Sequence, residues 1–600
     1  MSGTARRPFM TIPRWDISQL VDSTDTKHLK EQMRAMRDEA SAFASRYRGK
    51  IADLDASGLR EMLAAKDEMA LRYEGAMTYT SLSFAADTTD PVANDLYAAY
   101  SEASTQANQD LAFMSIEVGR LLASRPEMLD DPELKDYRHY LERMLAYAPY
   151  LLSEGEEKVI MAKDQNGVEA WSKLQSRWLS TRQFRMNVNG EEKVLSVGEM
   201  TPFIYDPDRT TRKNVYLSLG ETLVKDEILW ADIMKAIVTD HQAMGRIRGY
   251  PSPLTSSLLV NDVEQGAVEA LMRVVRRNSG LCQRYFRLKA GLLGLPILGS
   301  WDLRAPLPGA PEHQYSWEET RDLLVSVYSG YDARFGEWVA DIYKGQRLDG
   351  QVRKGKRTGA FCDTWIGGRS AFILSSYSGR LNDVYTLAHE LGHGVHAYLY
   401  TRAQNPSNCQ VSLCVAECGS LFGELLLTER LLEEAGSGEE RRALLVKVLN
   451  SFTQTVFQEG FRYLFEISLY DALDRGELLD SGKISELWMA AQKSIYGDAV
   501  EYLPESKYDW ARFPHHFFPD LRFYDYPYVF AQLFVFALFR LYKGEGEAFK
   551  PKFRRLLEAG SSRSPADLAR ELGFDISEEG FWLKGMEQAE EFLAELERSA

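Results

Sequence analysis

The sequence predicts a mainly α-helical protein. Three observations carry that expectation: apolar residues recur at helical spacing through long charged, alanine-rich segments, Asp, Pro and Gly punctuate those segments at starts and stops, and runs with strand alternation are few and short. The chain shows no repeat of fixed period and no low-complexity tract.

In chain order, Ser18 to Arg143 is helical, most clearly over Asp25 to Arg48 and Gly58 to Met77. Thr78 to Leu122 continues the pattern but breaks at Asp87 to Pro91, where an acidic turn followed by proline ends one helix and begins another. No metal-ligand spacing occurs in this part, which is expected to form a wall or lid. A further helical pair runs to Gln175. Phe184 to Leu195 alternates around Asn189-Gly190, a hairpin signal. The boundary between an N-terminal helical domain, residues 1–200, and a second domain, residues 201–600, is placed just after this hairpin. Asp206 to Arg209 caps a helix over Thr210 to Val224, and Gly249 and Pro251 stop a longer one that runs from Trp230 to Arg248. Val263 to Gly291 and Trp317 to Tyr343 are helical, with a loop at Trp301 to Pro306. Strand character appears at Lys354 to Cys362 and Ser370 to Gly379. The longest apolar run, Val529 to Phe539, contains Gln532 and is too short to span a bilayer, so it is expected to be a buried helix.

The balance of 71 basic against 87 acidic side chains gives a net charge of −16, which argues against a nucleic-acid partner. Five cysteines, an odd and sparse set, favour a reducing, cytoplasmic location. Cys409, Cys414 and Cys418 match no zinc-binding pattern and are expected to be buried thiols. Met1 to Trp15 carries three arginines and no apolar core of signal-peptide length, so neither export nor a membrane partner is expected.

The chemistry centres on Thr386 to His396. His389 and His393 are four apart, so on a helix they lie about 40° from each other and about 6 Å apart along the axis, where two imidazoles can hold one metal ion. Glu390 sits beside them, close enough to take a proton from a water on that ion. Flanking Leu387, Ala388 and Leu391 make the setting apolar, in which unpaired histidines would be costly. This reads as the helix of a zinc peptidase, with one Zn2+ per chain and residues 201–600 as its catalytic domain. His396 faces nearly the same way, but its backbone lies about 10.5 Å along the axis from His389, so it is assigned to support or packing.

A catalytic zinc needs a third protein ligand and one open position. The next helical stretch offers Glu417 and Glu424, seven apart on one face. Gly419, Ser420 and Gly423 would let it approach the first helix, itself relieved by Gly392 and Gly394. Glu417 is assigned as ligand and Glu424 as acceptor from a ligand histidine, with the reverse assignment as the alternative. Phe513 to Phe518 and Phe523 to Tyr528 supply a second polar cluster. A tyrosine, Tyr524 or Tyr528, together with His515 or His516, is expected to stabilise an oxyanion. The strand before the metal helix is expected to offer an open edge to an extended peptide. That makes Phe372, Ile373, Leu374, Tyr377 and Gly379, with Tyr526, the expected substrate contacts.

Gly355 to Cys362, Asp383 to His393, Ala416-Glu417 with Glu424, and Phe523 to Tyr528 together resemble the oligoendopeptidase F group of the thimet-oligopeptidase-like zinc metallopeptidases. The resemblance extends to Asp208-Arg209 and Arg248 to Pro251. It implies a two-lobed, clam-like helical metallopeptidase with a deep substrate channel and a small β-sheet beside the zinc helix. It also implies a cytoplasmic endopeptidase for short peptides, with His389, His393 and Glu417 as ligands and Glu390 as general base. The gap from Phe517 to Arg522, Pro527 and Phe530 depart from the usual pattern of the group. A zinc carboxypeptidase or dipeptidase and a non-catalytic peptide-binding protein of the same fold are the alternatives.

Overall fold

The computed structural model describes residues 12–309 and 313–599, so most of the N-terminal stretch examined for an export signal lies outside the described residues. Helices begin where the sequence supplies capping side chains. Asp25, Asp55 and Asp90 accept the backbone N–H of His28, Gly58 and Val92 and open helices Thr26–Tyr47, Ala56–Ala86 and Pro91–Leu111. Pro91 at the start of the third helix costs no hydrogen bond there, which is why the acidic turn before it separates two helices. These helices and those that follow to residue 147 bury their own apolar clusters, one around Leu59, Leu63, Val118 and Leu141, another around Met33, Met69 and Leu96.

The hairpin pairs Phe184–Val188 with Glu191–Leu195 in antiparallel register. Its turn needs two residues of positive φ, met by Asn189 at 53° and Gly190 at 88°. The buried face of Phe184, Met186 and Val188 packs on Val215, Leu219, Trp301 and Leu503. The hairpin thus shares its core with the part of the chain after residue 200. Two long helical readings divide: Asn278 separates Gln265–Arg277 from Ser279–Leu292, and Asp332 separates Trp317–Tyr331 from Ala333–Lys344, its carboxylate accepting the Arg334 N–H.

Beside the central helices lies a three-stranded sheet in which Ser370–Leu374 runs between Leu348–Asp349 and Phe361–Trp365, parallel to the former and antiparallel to the latter. The expectation that Phe372, Ile373 and Leu374 present an open edge is therefore corrected, because both edges of that strand are paired and all five of its residues are buried. The sheet's two edge strands are Leu348–Asp349 and Phe361–Trp365, and the latter, five residues long, is the longer. Glu74, on the long N-terminal helix Ala56–Ala86, accepts the N–H groups of Ile366 and Gly367 at 2.6 and 2.7 Å, so that the N-terminal helices grip the turn joining the two longer strands. Lys356 is also structural: its ammonium pairs with buried Asp349 at 2.7 Å and donates to the Ser375 carbonyl.

Helix Leu381–Ala403 carries the His-Glu motif and crosses Cys418–Glu434 at backbone contact. A Cβ at Gly392 would lie 2.3 Å from the Gly419 carbonyl oxygen, and one at Gly423 would lie 2.0 Å from the Tyr328 hydroxyl. The apolar run from Val529 to Phe539 forms the middle of helix Tyr526–Glu545 and is buried throughout. It packs on Phe581, Trp582 and Phe592 of the C-terminal helix Glu579–Ser599. Among the described residues no helix is long and apolar enough to cross a membrane.

Candidate active site

His389, His393 and Glu417 each offer a donor atom, and the three atoms lie within 4.8 Å of one another. The Glu417 Oε2 atom is 3.3 Å from Nε2 of His389 and 3.4 Å from Nε2 of His393. Glu417 does not ride inside a continuous helix. It forms the break between Leu413–Ala416 and Cys418–Glu434, with φ −80° and ψ 2°, and Ser420 Oγ donates to the same carboxylate oxygen at 2.5 Å. The small residues at the helix crossing explain the approach, since any side chain at Gly392 or Gly419 would push the two helices apart.

His389 is fixed from behind. Its Nδ1 lies 2.7 Å from Glu424 Oε1, and Tyr328, on helix Trp317–Tyr331, donates to the carbonyl of the preceding residue, Ala388, at 2.6 Å. Burial disfavours a charged imidazole, yet the Glu424 hydrogen bond and the charges of Glu417 and Glu390 push His389 up to about 9. Burial acts to raise Glu417, but His393 and then His389 pull it down to about 2. Several carboxylates converge on two imidazoles, a constellation that attracts a cation. Glu390 is 6 % exposed, and burial raises its carboxyl against the pull of the two histidines.

Two cavities meet at this point. One of about 700 Å³ and one of about 420 Å³ share Ala360, His389 and Glu390 in their walls. The smaller takes in Phe361, Cys362 and Thr364, so the open strand runs along it.

His515, Tyr524 and Tyr528 form one aromatic group, with ring centroids 5.2 Å apart for His515 and Tyr524 and 5.4 Å apart for the two tyrosines. Burial, then the Tyr524 hydroxyl, then the charge of Glu417 raise the Tyr528 phenol. Asp525 holds His515 by its Nδ1 at 3.3 Å. The turn presenting this group is held by charge as well as by the packing of Phe523 on Tyr470. Phe523 adopts a left-handed φ of 58°, its N–H is accepted by both oxygens of Glu466 at 3.0 Å, and Arg522 pairs with Glu466 at 2.5 Å in full burial.

Other predicted residues are not brought to the site. His516 is buried among Phe465, Trp488 and Phe513, its Nδ1 lies 3.2 Å from the Trp510 carbonyl, and burial pushes it down to about 3, so it is neutral and turned into the core. The Tyr526 hydroxyl donates to the Ser257 carbonyl at 3.2 Å in the interior. Tyr377 shares a 2.5 Å hydrogen bond with Thr320, and Gly379, at φ 85°, accepts the Tyr315 N–H through its carbonyl; both shape the loop entering the metal helix. His396 is 3 % exposed and packs edge-on to Tyr400 beside the smaller cavity. Sequence reasoning missed Glu466, Arg522 and the positioning role of Asp525. Polar residues among the aromatics of this segment were the available signal.

A helical protein with a histidine–histidine–glutamate group at the meeting of two cavities has the layout of a hydrolase site, and comparison with known proteins gives the class as peptidase. The profile described as Peptidase family M3 matches residues 203–588, and one described as Oligopeptidase F matches residues 126–184; the chain belongs to peptidase family M3. It is 27% identical to the Group B oligopeptidase PepB of Streptococcus agalactiae over 97% of this chain and 96% of that one. It is 26% identical to the oligopeptidase PepF of Bacillus subtilis over 89% of this chain and 79% of that one. Among solved structures, an oligoendopeptidase F from Enterococcus faecium superposes with a TM-score of 0.71 at 21% identity, covering 96% of this chain and 99% of that one. A chain from Chlamydophila abortus does so with a TM-score of 0.87 at 22% identity over 98% of each. The predicted helical fold and the oligoendopeptidase F resemblance both hold, and the protein is a peptidase acting on oligopeptides.

Proposed function

We propose that the protein is a zinc-dependent endopeptidase that hydrolyses internal bonds of short peptides. The observation that carries this reading is the position of Glu390 between two cavities that meet at the histidine–glutamate group, leaving room for substrate on both sides of the bond to be cut. Two imidazoles and one carboxylate within 4.8 Å of one another suit zinc, with a position left for water or substrate, so His389, His393 and Glu417 would hold the ion. When bound, zinc supplies a Lewis acid that polarises a carbonyl and acidifies water.

The chain's own residues do the rest. Glu390, buried beside the ligands, accepts the proton of the attacking water and passes it to the leaving amine. Tyr528, backed by Tyr524 and His515, donates a hydrogen bond to the developing oxyanion. An extended peptide adds to the open side of Phe361–Trp365 through main-chain hydrogen bonds, which suits broad side-chain tolerance. The five cysteines are free thiols, in keeping with a reducing, cytoplasmic location for this activity.

The test is cleavage of an internally quenched peptide of about ten residues, blocked at its N-terminus, followed by mass spectrometry before and after chelation and zinc addition. Internal cuts that vanish and return with the metal are expected. Trimming confined to one end would replace this reading with an exopeptidase, and intact peptide from zinc-loaded protein would replace it with a binding protein.

A further inference from the structure

The two cavities differ in charge. The smaller has Glu390 and Glu417 and no Lys or Arg in its wall, whereas the larger sets Lys447 and Arg304 against Glu390 and Glu424. The Lys447 ammonium donates to Asn382 Oδ1 at 2.8 Å and lies 4.4 Å from the centre of the Tyr385 ring. The Arg304 Nε donates to Gln454 Oε1 at 3.2 Å. Both side chains are half-buried, and among the described residues neither has a carboxylate within ion-pair distance. In a chain of net charge −16, two such cations facing one cavity call for an anion from outside.

The arrangement is built into the fold. Buried Lys289 donates to the Leu303 carbonyl at 2.8 Å and to Asn450 Oδ1 at 2.9 Å, tying the loop that carries Arg304 to the helix that carries Lys447. Tyr285 donates to the same Asn450 oxygen at 2.7 Å. Helix Gly438–Phe452 then passes into a π-turn, Thr453–Gln458, whose Gln454 faces the cavity. Such turns persist where a side chain must be re-aimed.

We propose that Lys447 and Arg304 receive a substrate carboxylate downstream of the cut, supplied by the peptide's C-terminus or by an acidic side chain. This rests on the peptidase reading above. Strand polarity fits it. A peptide paired antiparallel to Phe361–Trp365 runs from the Thr364 end toward the Ala360 end, placing its N-terminal half along the smaller cavity and its C-terminal half in the one that holds Lys447 and Arg304. The span fits as well. Asn382, which holds Lys447, precedes His389 by seven residues, about 10 Å along the helix. At about 3.3 Å per extended residue, the carboxylate would fall about three residues past the cut.

The test compares matched quenched peptides that end three residues after the cut as a free acid or as an amide, using the full-length zinc-loaded enzyme. A third peptide is an amide with Glu at the third position. The acid is expected to be cut with a kcat/KM about tenfold or more above the amide, and K447M and R304Q are expected to shrink that ratio toward one. Recovery of the rate with the Glu-bearing amide would identify a side-chain carboxylate as sufficient; no recovery would identify the chain terminus. A parallel measurement, calorimetric binding of acid and amide to zinc-loaded E390Q, reads the same preference without turnover. Equal cutting and equal binding of acid and amide would overturn this inference and leave the endopeptidase reading standing. Absence of cleavage with a retained binding preference would instead overturn the endopeptidase reading and keep the carboxylate site.

Discussion

Nδ1 of His389 lies 2.7 Å from Oε1 of Glu424, on the far side of the imidazole from the Nε2 that faces Glu417. The ring is thus oriented by one glutamate and presented toward another. Glu424 fixes which nitrogen carries the proton and raises the basicity of the one that would bind metal. Replacing Glu424 with Gln keeps an acceptor but removes the charge, and should weaken zinc about tenfold; Glu424→Ala should approach about a hundredfold. Competition with a chromogenic chelator measures this. Zinc affinity unchanged in both variants would mean that Glu424 does not orient His389 for the metal, and a loss far beyond a hundredfold would exchange the roles given to Glu417 and Glu424.

Glu390 tests the base assignment separately from metal binding. Its carboxyl is buried beside the ligands but is not one of the three grouped donors. Glu390→Gln should bind zinc with near-normal affinity and lose about 10²- to 10⁴-fold in kcat. A zinc-loaded variant of near-normal rate would sink the assignment.

The aromatic group makes a comparative prediction. Tyr528 feels the charge of Glu417 and Tyr524 stands behind it, so Tyr528→Phe should lower kcat about 10²- to 10³-fold with little change in KM, and Tyr524→Phe should cost less. The opposite order would name Tyr524 as the oxyanion donor. Asp525→Asn should lower kcat through His515 and shift its pH profile, a readout that a purely structural loss would not give.

How much of this was legible in the sequence depended on distance along the chain. His389 and His393 could be placed together because four residues on a helix fix their geometry, and the small residues Gly392, Gly419 and Gly423 announced a close crossing that the backbone contacts bear out. Asn189-Gly190 gave the hairpin for the same local reason. His515 and His516 are chemically identical neighbours, and only packing against Trp488 and Phe465 turns one of them inward. Strand character marked Ser370–Gly379, but which edge stays open depends on Leu348–Asp349, a two-residue partner with no signal of its own. Lys447 and Arg304 are 143 positions apart in the sequence and meet only across a cavity.

Gly392 links fold to site. A methyl group there would meet the Gly419 oxygen at 2.3 Å and the Ser420 Cα at 2.5 Å, both backbone atoms that cannot swing aside. Gly392→Ala should therefore cost about 1–3 kcal/mol and draw Glu417 away from the histidines. A lowered melting temperature together with weaker zinc binding is expected. Loss of stability with unchanged zinc affinity would show that the crossing does not set the ligand geometry.

His241 predicts an acid sensitivity that has nothing to do with the metal. It is held in the interior, with its Nδ1 2.9 Å from the Tyr470 hydroxyl, its Nε2 3.3 Å from Ser256 Oγ, and the charge of Arg522 nearby. Burial first and Arg522 second push it down to about 3. The folded protein therefore keeps this ring neutral while the unfolded chain takes up a proton below about 6.5, the ordinary histidine value. The contribution to stability is complete above that pH and is lost as pH falls toward 3, by about 1.4 kcal/mol per pH unit. Between pH 6.5 and 5 the melting temperature of the wild type should drop more steeply than that of His241→Gln, whose amide still accepts from Tyr470 but binds no proton. Equal slopes for the two proteins would mean that His241 is protonated in the folded state.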